Sequence, residues 1–261
     1  MFQIPFCSGW HDSLQYHVFC EDKLFAVRIF WTHSLWHHSA WVYDGEVVEL
    51  INSAEPLEQS TAPYADLRCP DFELSAPDEA VSIRVGNDLS LTLTPRHTMY
   101  GPSPIGPGLH HPDMSARVSY RGQSLQGLAY CKRYDFRGDP IRYWGYRFVH
   151  GTRDDHSWSL WTAQATFGFG NHSYFRFIDA GGEVHEAGVR DSCHRDNHCY
   201  GVVEGEDFDV ALEELGVWDA VLKSSVMDSQ LRQRFCRMSV HRDGRCETGY
   251  AINEFCSGTL G

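Results

Sequence analysis

The 261-residue chain carries a formal net charge of −13, with 42 % hydrophobic, 22 % charged and 13 % aromatic residues. That balance is ordinary for a globular domain and leaves no basic footprint for non-specific nucleic-acid binding. No run approaches the ~18 apolar residues of a membrane-spanning helix.

Eight Trp, twelve Tyr and fifteen Phe require either a substantial core or an aromatic pocket. Met1 to Trp10 has neither a basic stretch nor an apolar stretch of the export type, so a cytoplasmic location is expected. The nine cysteines then read as thiols, and an odd number cannot all pair internally.

From Leu24 the chain alternates with period two, the pattern of half-buried strands. Phe25, Val27, Ile29 and Trp31 share one face. Ala40 to Tyr43 meets Asp44-Gly45 and continues as Glu46 to Leu50, a hairpin signal because Gly tolerates the positive φ of a type I′ turn. Val81 to Val85 and Leu89 to Leu93 flank Gly86-Asn87-Asp88. Tyr100 to Gly108 is rich in Pro and Gly and is expected to be neither a continuous strand nor a helix. The predicted organisation is therefore an N-terminal β unit over residues 1–100, a linker or lid over 101–112, and a C-terminal β unit over 113–261.

Beyond that passage, Met114 to Tyr120 and Gln123 to Tyr134 flank Arg121-Gly122. Arg142 to His150 and Trp158 to Phe167 form a further pair, and Tyr174 to Ile178 turns at Asp179 to Gly182. Ala211 to Leu215 is helix-favouring, and a short helix is predicted near 206–222 with Phe208, Leu212, Leu215 and Asp219 along one side. A final hairpin from Phe235 to Phe255 turns at Arg242-Asp243-Gly244. The fold class is all-β and mainly antiparallel, with two barrel or sandwich units and that one helix.

The strand Tyr143 to His150 is the most informative stretch. The pleat places Trp144, Tyr146, Phe148 and His150 on one face and Arg147 on the other. Trp158 and Trp161 cannot face the same way. Core packing accounts for these aromatics as an alternative to a ligand wall. Tyr130 and Lys132 share a face and could serve as proton donor and orienting cation, or form a solvated strand surface. His11, His17, His33, His37 and His38 could do acid–base work or be structural. Cys193, His194, His198 and Cys199 could in principle ligate zinc, yet all four lie within seven residues, without separated knuckles. Phosphate-binding, nucleophile-elbow and zinc-protease motifs do not occur.

Several segments, in order, resemble a family: Gly9-Trp10-His11 through Phe30-Trp31, Gly127-Leu128-Ala129-Tyr130, Tyr143-Trp144-Gly145-Tyr146, Trp158 to Trp161, and Gly244-Arg245 to Gly249-Tyr250. The sequence is similar to the two-part lipocalin-like proteins that include hydroxyneurosporene synthase (a carotenoid hydratase), fungal phytoalexin hydratases and fungal Diels–Alder cyclases. It departs from them at Cys131-Lys132-Arg133, where the family's strand usually carries an acidic residue or a histidine. The chain is also shorter than most members.

The resemblance implies two lipocalin-like units, apolar terpenoid or polyketide substrates, no cofactor, and water addition, dehydration or cyclisation as the chemistry. A cofactor-independent lyase or isomerase is accordingly expected, with a non-catalytic carrier of a hydrophobic ligand or pigment as the alternative. Candidate catalytic residues are Tyr130, His150, Arg147 and Glu254. Candidate substrate-binding residues are Trp144, Tyr146, Phe148, Trp158, Trp161 and Trp31. No metal ligand is assigned. The expected partners are an apolar small molecule and, as the candidate assembly, a second copy of the chain, with no nucleic acid and no membrane span.

Overall fold

A computed structural model describes residues 11–31, 35–56, 66–76, 80–97, 99–103, 106–136, 143–167, 170–187, 192–223 and 227–260. Its described residues are all-β and antiparallel, in two compact units, Met1–Pro140 and Ile141–Gly261. None of the described residues forms a helix long and apolar enough to cross a membrane.

The first unit holds β1 (His11–Cys20), β2 (Lys23–Trp31), β3 (Leu35–Tyr43), β4 (Val47–Pro56), β5 (Asp66–Cys69), β6 (Phe72–Ser75), β7 (Val81–Val85), β8 (Leu89–Pro95), β9 (Met99–Ser103), β10 (Gly106–Tyr120) and β11 (Gln123–Phe136). They form one sheet in the order β4-β3-β2-β1-β11-β10-β8-β7-β6-β5, with β9 paired to β10. The sheet curls until its ends meet. His38 on β3 lies 3.5 Å from Cys69 Sγ on β5, and its ring centroid is 5.0 Å from that of Phe72 on β6. The inward face is apolar: Leu14, Val18, Phe25, Ile29, Leu74, Ile83, Leu91 and Val118 are buried there.

The second unit holds β12 (Tyr143–Arg153), β13 (Ser159–Phe167), β14 (Gly170–Ile178), β15 (Val184–Ala187), β16 (Ser192–Arg195), β17 (His198–Val203), β18 (Glu206–Lys223), β19 (Met227–Arg242) and β20 (Arg245–Leu260). Their order is β15-β14-β13-β12-β20-β19-β18-β17-β16. This sheet also curls, bringing Phe175 and Phe177 on β14 to within 5.5 and 5.3 Å of the Phe208 ring on β18. Gly201 on β17 is what permits the approach. A Cβ there would lie 2.4 Å from Cγ of Phe175.

The predicted turns are present where the residues demand them. Arg121 and Gly122 both have positive φ (47° and 80°), as do Asp243 and Gly244 (45° and 67°), the type I′ signature. Glu204 and Gly205 (54° and 87°) make a third such turn, joining β17 to β18.

Two expectations are corrected. Residues 206–222 are not helical but belong to the 18-residue strand β18. β17 pairs with residues 206–211 and β19 with 209–223, and Phe208, Val210 and Leu212 bury on alternate positions. Those long-range pairings override the helix-favouring Ala-Leu-Glu-Glu-Leu. Leu215 sits in a register shift between Glu214 and Gly216, which reverses the pleat. The even-numbered residues before it face the barrel core, and Trp218 and Ala220 after it face the other way.

The Pro/Gly passage is no linker either. Met99–Ser103 pairs with the start of β10, Pro102 opposite Pro107, so both missing N–H groups fall on one rung at a sheet edge where proline is tolerated. The units divide after Pro140 because β10 and β11 join β8 to β1 and so complete the first sheet.

Candidate active site

In the second unit the register puts Phe148 opposite Glu254, Tyr146 opposite Cys256, and His150 opposite Ile252 on β20 and Trp161 on β13. On β19, Gln233 faces Glu254 and Phe235 faces Ile252. Opposed residues share a side of the sheet, so Tyr146, Phe148, His150, Trp161, Gln233, Phe235 and Glu254 form one continuous face. Trp218 joins it from β18, beside Gln233. Most of this face is apolar and aromatic, with a carboxylate and an imidazole set into it.

Glu254 is fully buried. The Tyr146 hydroxyl donates to its Oε1 through a short hydrogen bond, and Gln233 Nε2 donates to Oε2 at 2.5 Å. A buried carboxylate is tolerable only with such partners. His150 is also fully buried. Trp161 is packed edge-on to Phe148 (6.4 Å) and Tyr174 (5.2 Å), with the Arg176 guanidinium 4.8 Å above its ring. Gln233, Trp218 and Phe235 were not singled out from the sequence. Their signal is the same alternation along β19 and β18, visible only once 206–223 is a strand.

Arg147 points to the opposite face. Its Nη2 lies 2.6 Å from Asp196 Oδ1, and its guanidinium lies 5.8 Å from the Phe255 ring. The structure therefore groups His150, Glu254, Tyr146, Phe148 and Trp161 and separates Arg147 from them. Trp158 also faces the other way, into the barrel core against Phe177 at 5.4 Å. The side chains of Trp144 and Trp31 lie outside the described residues.

Tyr130 belongs to the first unit. Its hydroxyl lies 3.0 Å from Nδ1 of His110, and its ring stacks on His17 with centroids 6.2 Å apart. Around it runs a buried polar row: His110, Lys132, Gln15, Arg28 and Ser39 stand opposite one another across β10, β11, β1, β2 and β3. All five are at most 5 % exposed, so the alternative of a solvated Lys132 does not hold. Burying two cations in one row costs free energy that an apolar sheet would avoid. His37, diagonally placed, stacks on Phe30 at 4.7 Å. Burial, followed by the nearby Arg28 charge, pushes its pKa down to about 4. His110 could not be found by pattern, since it sits in the passage read as a linker.

The Cys193–Cys199 segment forms the hairpin of β16 and β17. His194 pairs with Cys199 on one face, while Cys193 and His198 lie on the other. The four donors thus divide between two faces and do not converge on one ion. His194 is buried against the Thr162 hydroxyl at 2.5 Å. Asp179, Glu183 and His185 do cluster, but Asp179 Oδ1 already accepts the backbone N–H groups of Gly181 and Glu183, which accounts for the group as a turn. The eight cysteines among the described residues are free thiols.

No protein-family model matches the chain, and no curated protein does. Solved structures match over nearly the whole length. The chain is similar to an ATTH protein of Nitrosomonas europaea, at 14 % identity and a TM-score of 0.63, covering 94 % of this chain and 92 % of that one. It is similar to kievitone hydratase from Nectria haematococca, at 8 % identity and a TM-score of 0.64, covering 95 % and 89 %. It also matches CghA in complex with Sch210972, at 8 % identity and a TM-score of 0.57, covering 96 % and 88 %. At such identities the likeness establishes the fold, which agrees with the two-part lipocalin-like resemblance in the sequence.

Proposed function

We propose that the chain is a lyase or isomerase, a hydratase, dehydratase or cyclase, that acts without a cofactor on an apolar small molecule such as a terpenoid or polyketide. The observation that carries this reading is Glu254, a fully buried carboxylate held by Tyr146 and Gln233 on an aromatic face that also presents His150. Water addition or loss and cyclisation need one or two proton-transfer groups and a surface that pre-folds the substrate. Glu254 supplies the proton-transfer group, and Tyr146 and Gln233 fix its orientation. His150 is the second acid–base candidate. The faces of Phe148 and Trp161 would stabilise a developing cation on a polyene carbon. In the first unit, the Tyr130–His110 pair is a separate acid–base candidate.

The comparisons support the reaction class by name only. One similar structure is a hydratase, and another holds a bound small molecule. The test is to incubate the purified protein with a panel of polyenes, terpenoids and polyketides and weigh the products. A gain or loss of one water, or an isomer of unchanged mass, that disappears with Glu254→Gln supports the proposal. A ligand that binds tightly and is recovered unchanged overturns it in favour of a carrier.

A further inference from the structure

The Arg147 side of the second sheet bears a cavity of about 430 Å³, within the size range of small-molecule sites. Its lining is amphipathic. Val221 and Phe255, at 56 % and 40 % exposure, are two of the three exposed large hydrophobic residues among those described, and both line this cavity. Isolated exposed apolar side chains need no explanation, but two converging beside guanidinium groups do.

The charged lining consists of Arg147, Arg232 and Arg234 with Asp196 and Asp219, and Glu214 stands 3.5 Å from Arg234 outside the lining. The three arginines are not equally committed. Arg232 is clamped by Asp219 through two hydrogen bonds of 2.7 and 2.8 Å. Arg147 pairs with Asp196, whose side chain is 75 % exposed, so water competes for that contact. Arg234 makes the longest contacts, 3.5 Å to Glu214 and 3.4 Å to the Asp196 carbonyl. A guanidinium has five N–H donors in a fork that matches a carboxylate, and these contacts leave much of that fork unspent. Asn253 donates to the same Asp196 carbonyl at 2.7 Å, pinning the β16–β17 turn beside the cavity, so the site is formed before any ligand arrives.

We propose that this cavity binds an amphiphilic monocarboxylate, a medium-chain or aryl-substituted acid, with its carboxylate on Arg234 and Arg147 and its apolar body on Phe255 and Val221. The site lies on the opposite face of the sheet from Glu254 and does not depend on the proposed reaction.

The test is titration calorimetry of the full chain with decanoate and with decan-1-ol at neutral pH. Decanoate is expected to bind about tenfold or more tightly than the alcohol. Arg234→Gln should remove that preference while leaving decanol binding unchanged, and Phe255→Ser should weaken both ligands. Arg234→Lys, which keeps the charge but loses the fork, should fall between wild type and Arg234→Gln and serves if the Gln variant folds poorly. Equal affinity for acid and alcohol, or no binding of decanoate, overturns the proposal. So does decanoate binding that responds to Glu254→Gln and ignores the Arg234 variants, because the acid would then occupy the other face.

Discussion

Tyr146 on β12 donates its hydroxyl proton to Glu254 on β20, diagonally across the ladder in which Tyr146 faces Cys256 and Glu254 faces Phe148. The two residues are 108 positions apart in the chain. Their contact turns a carboxylate with no access to solvent into an oriented group, and it ties the strand richest in aromatics to the C-terminal strand.

Glu254→Gln is expected to lower turnover by about 10²–10⁴-fold, the usual scale of a lost acid–base group. Tyr146→Phe leaves Glu254 with Gln233 as its remaining partner from this pair and should destabilise the fold by about 1–3 kcal/mol. Turnover and urea unfolding measured on both variants separate the two effects. Retained turnover in Glu254→Gln would remove Glu254 from the reaction.

Tyr130→Phe removes the hydroxyl that meets His110 Nδ1 at 3.0 Å. If this pair takes part in acid–base chemistry, turnover drops with at most about 3 kcal/mol lost in stability. His110→Gln should reproduce the drop. Wild-type rates in both variants would make the pair structural.

Burial drives the pKa of His37, His38 and His194 down to about 4, aided at His37 by Arg28 and at His194 by Arg147. In an unfolded chain the same groups titrate near 6.5. Between those values the unfolded state binds up to three more protons than the folded state, so stability falls as pH is lowered from about 6.5 to 4. The slope should approach roughly 4 kcal/mol per pH unit and flatten below pH ~4. Urea midpoints measured across that range check this, and His38→Gln should cut the slope by about a third. A midpoint that does not move between pH 7 and 5 contradicts it.

Gly127→Ala places a Cβ 1.9 Å from the Phe19 carbonyl oxygen and 2.6 Å from Cys20 Sγ, so β11 must move off β1. The expected loss is about 1–3 kcal/mol or more. Gly205→Ala, with open space around it and φ of +87°, should cost only about 1 kcal/mol. Thermal unfolding of the two variants ranks them, and equal shifts would mean that the close approach of Gly127 to Phe19 relaxes at little cost.

Much of the fold was legible in the residues because the information is local. A pleat of period two assigns Tyr146, Phe148 and His150 to one face and Arg147 to the other within a single strand, and it puts Trp158 and Trp161 on opposite sides. Arg121-Gly122 and Asp243-Gly244 declare their turns through the backbone that glycine allows. What pattern could not reach was pairing between distant segments. Residues 206–222 favour a helix by composition and become a strand because β17 pairs with 206–211 and β19 with 209–223. Prolines at 102 and 107 argue against a strand until they face each other at an edge. Glu254 was a candidate carboxylate by type alone. Its partner Tyr146 lies 108 positions away and meets it only because β12 pairs with β20, a pairing that no run of neighbours announces; Gln233, and His110 beside Tyr130, come instead from the adjacent strand of a hairpin.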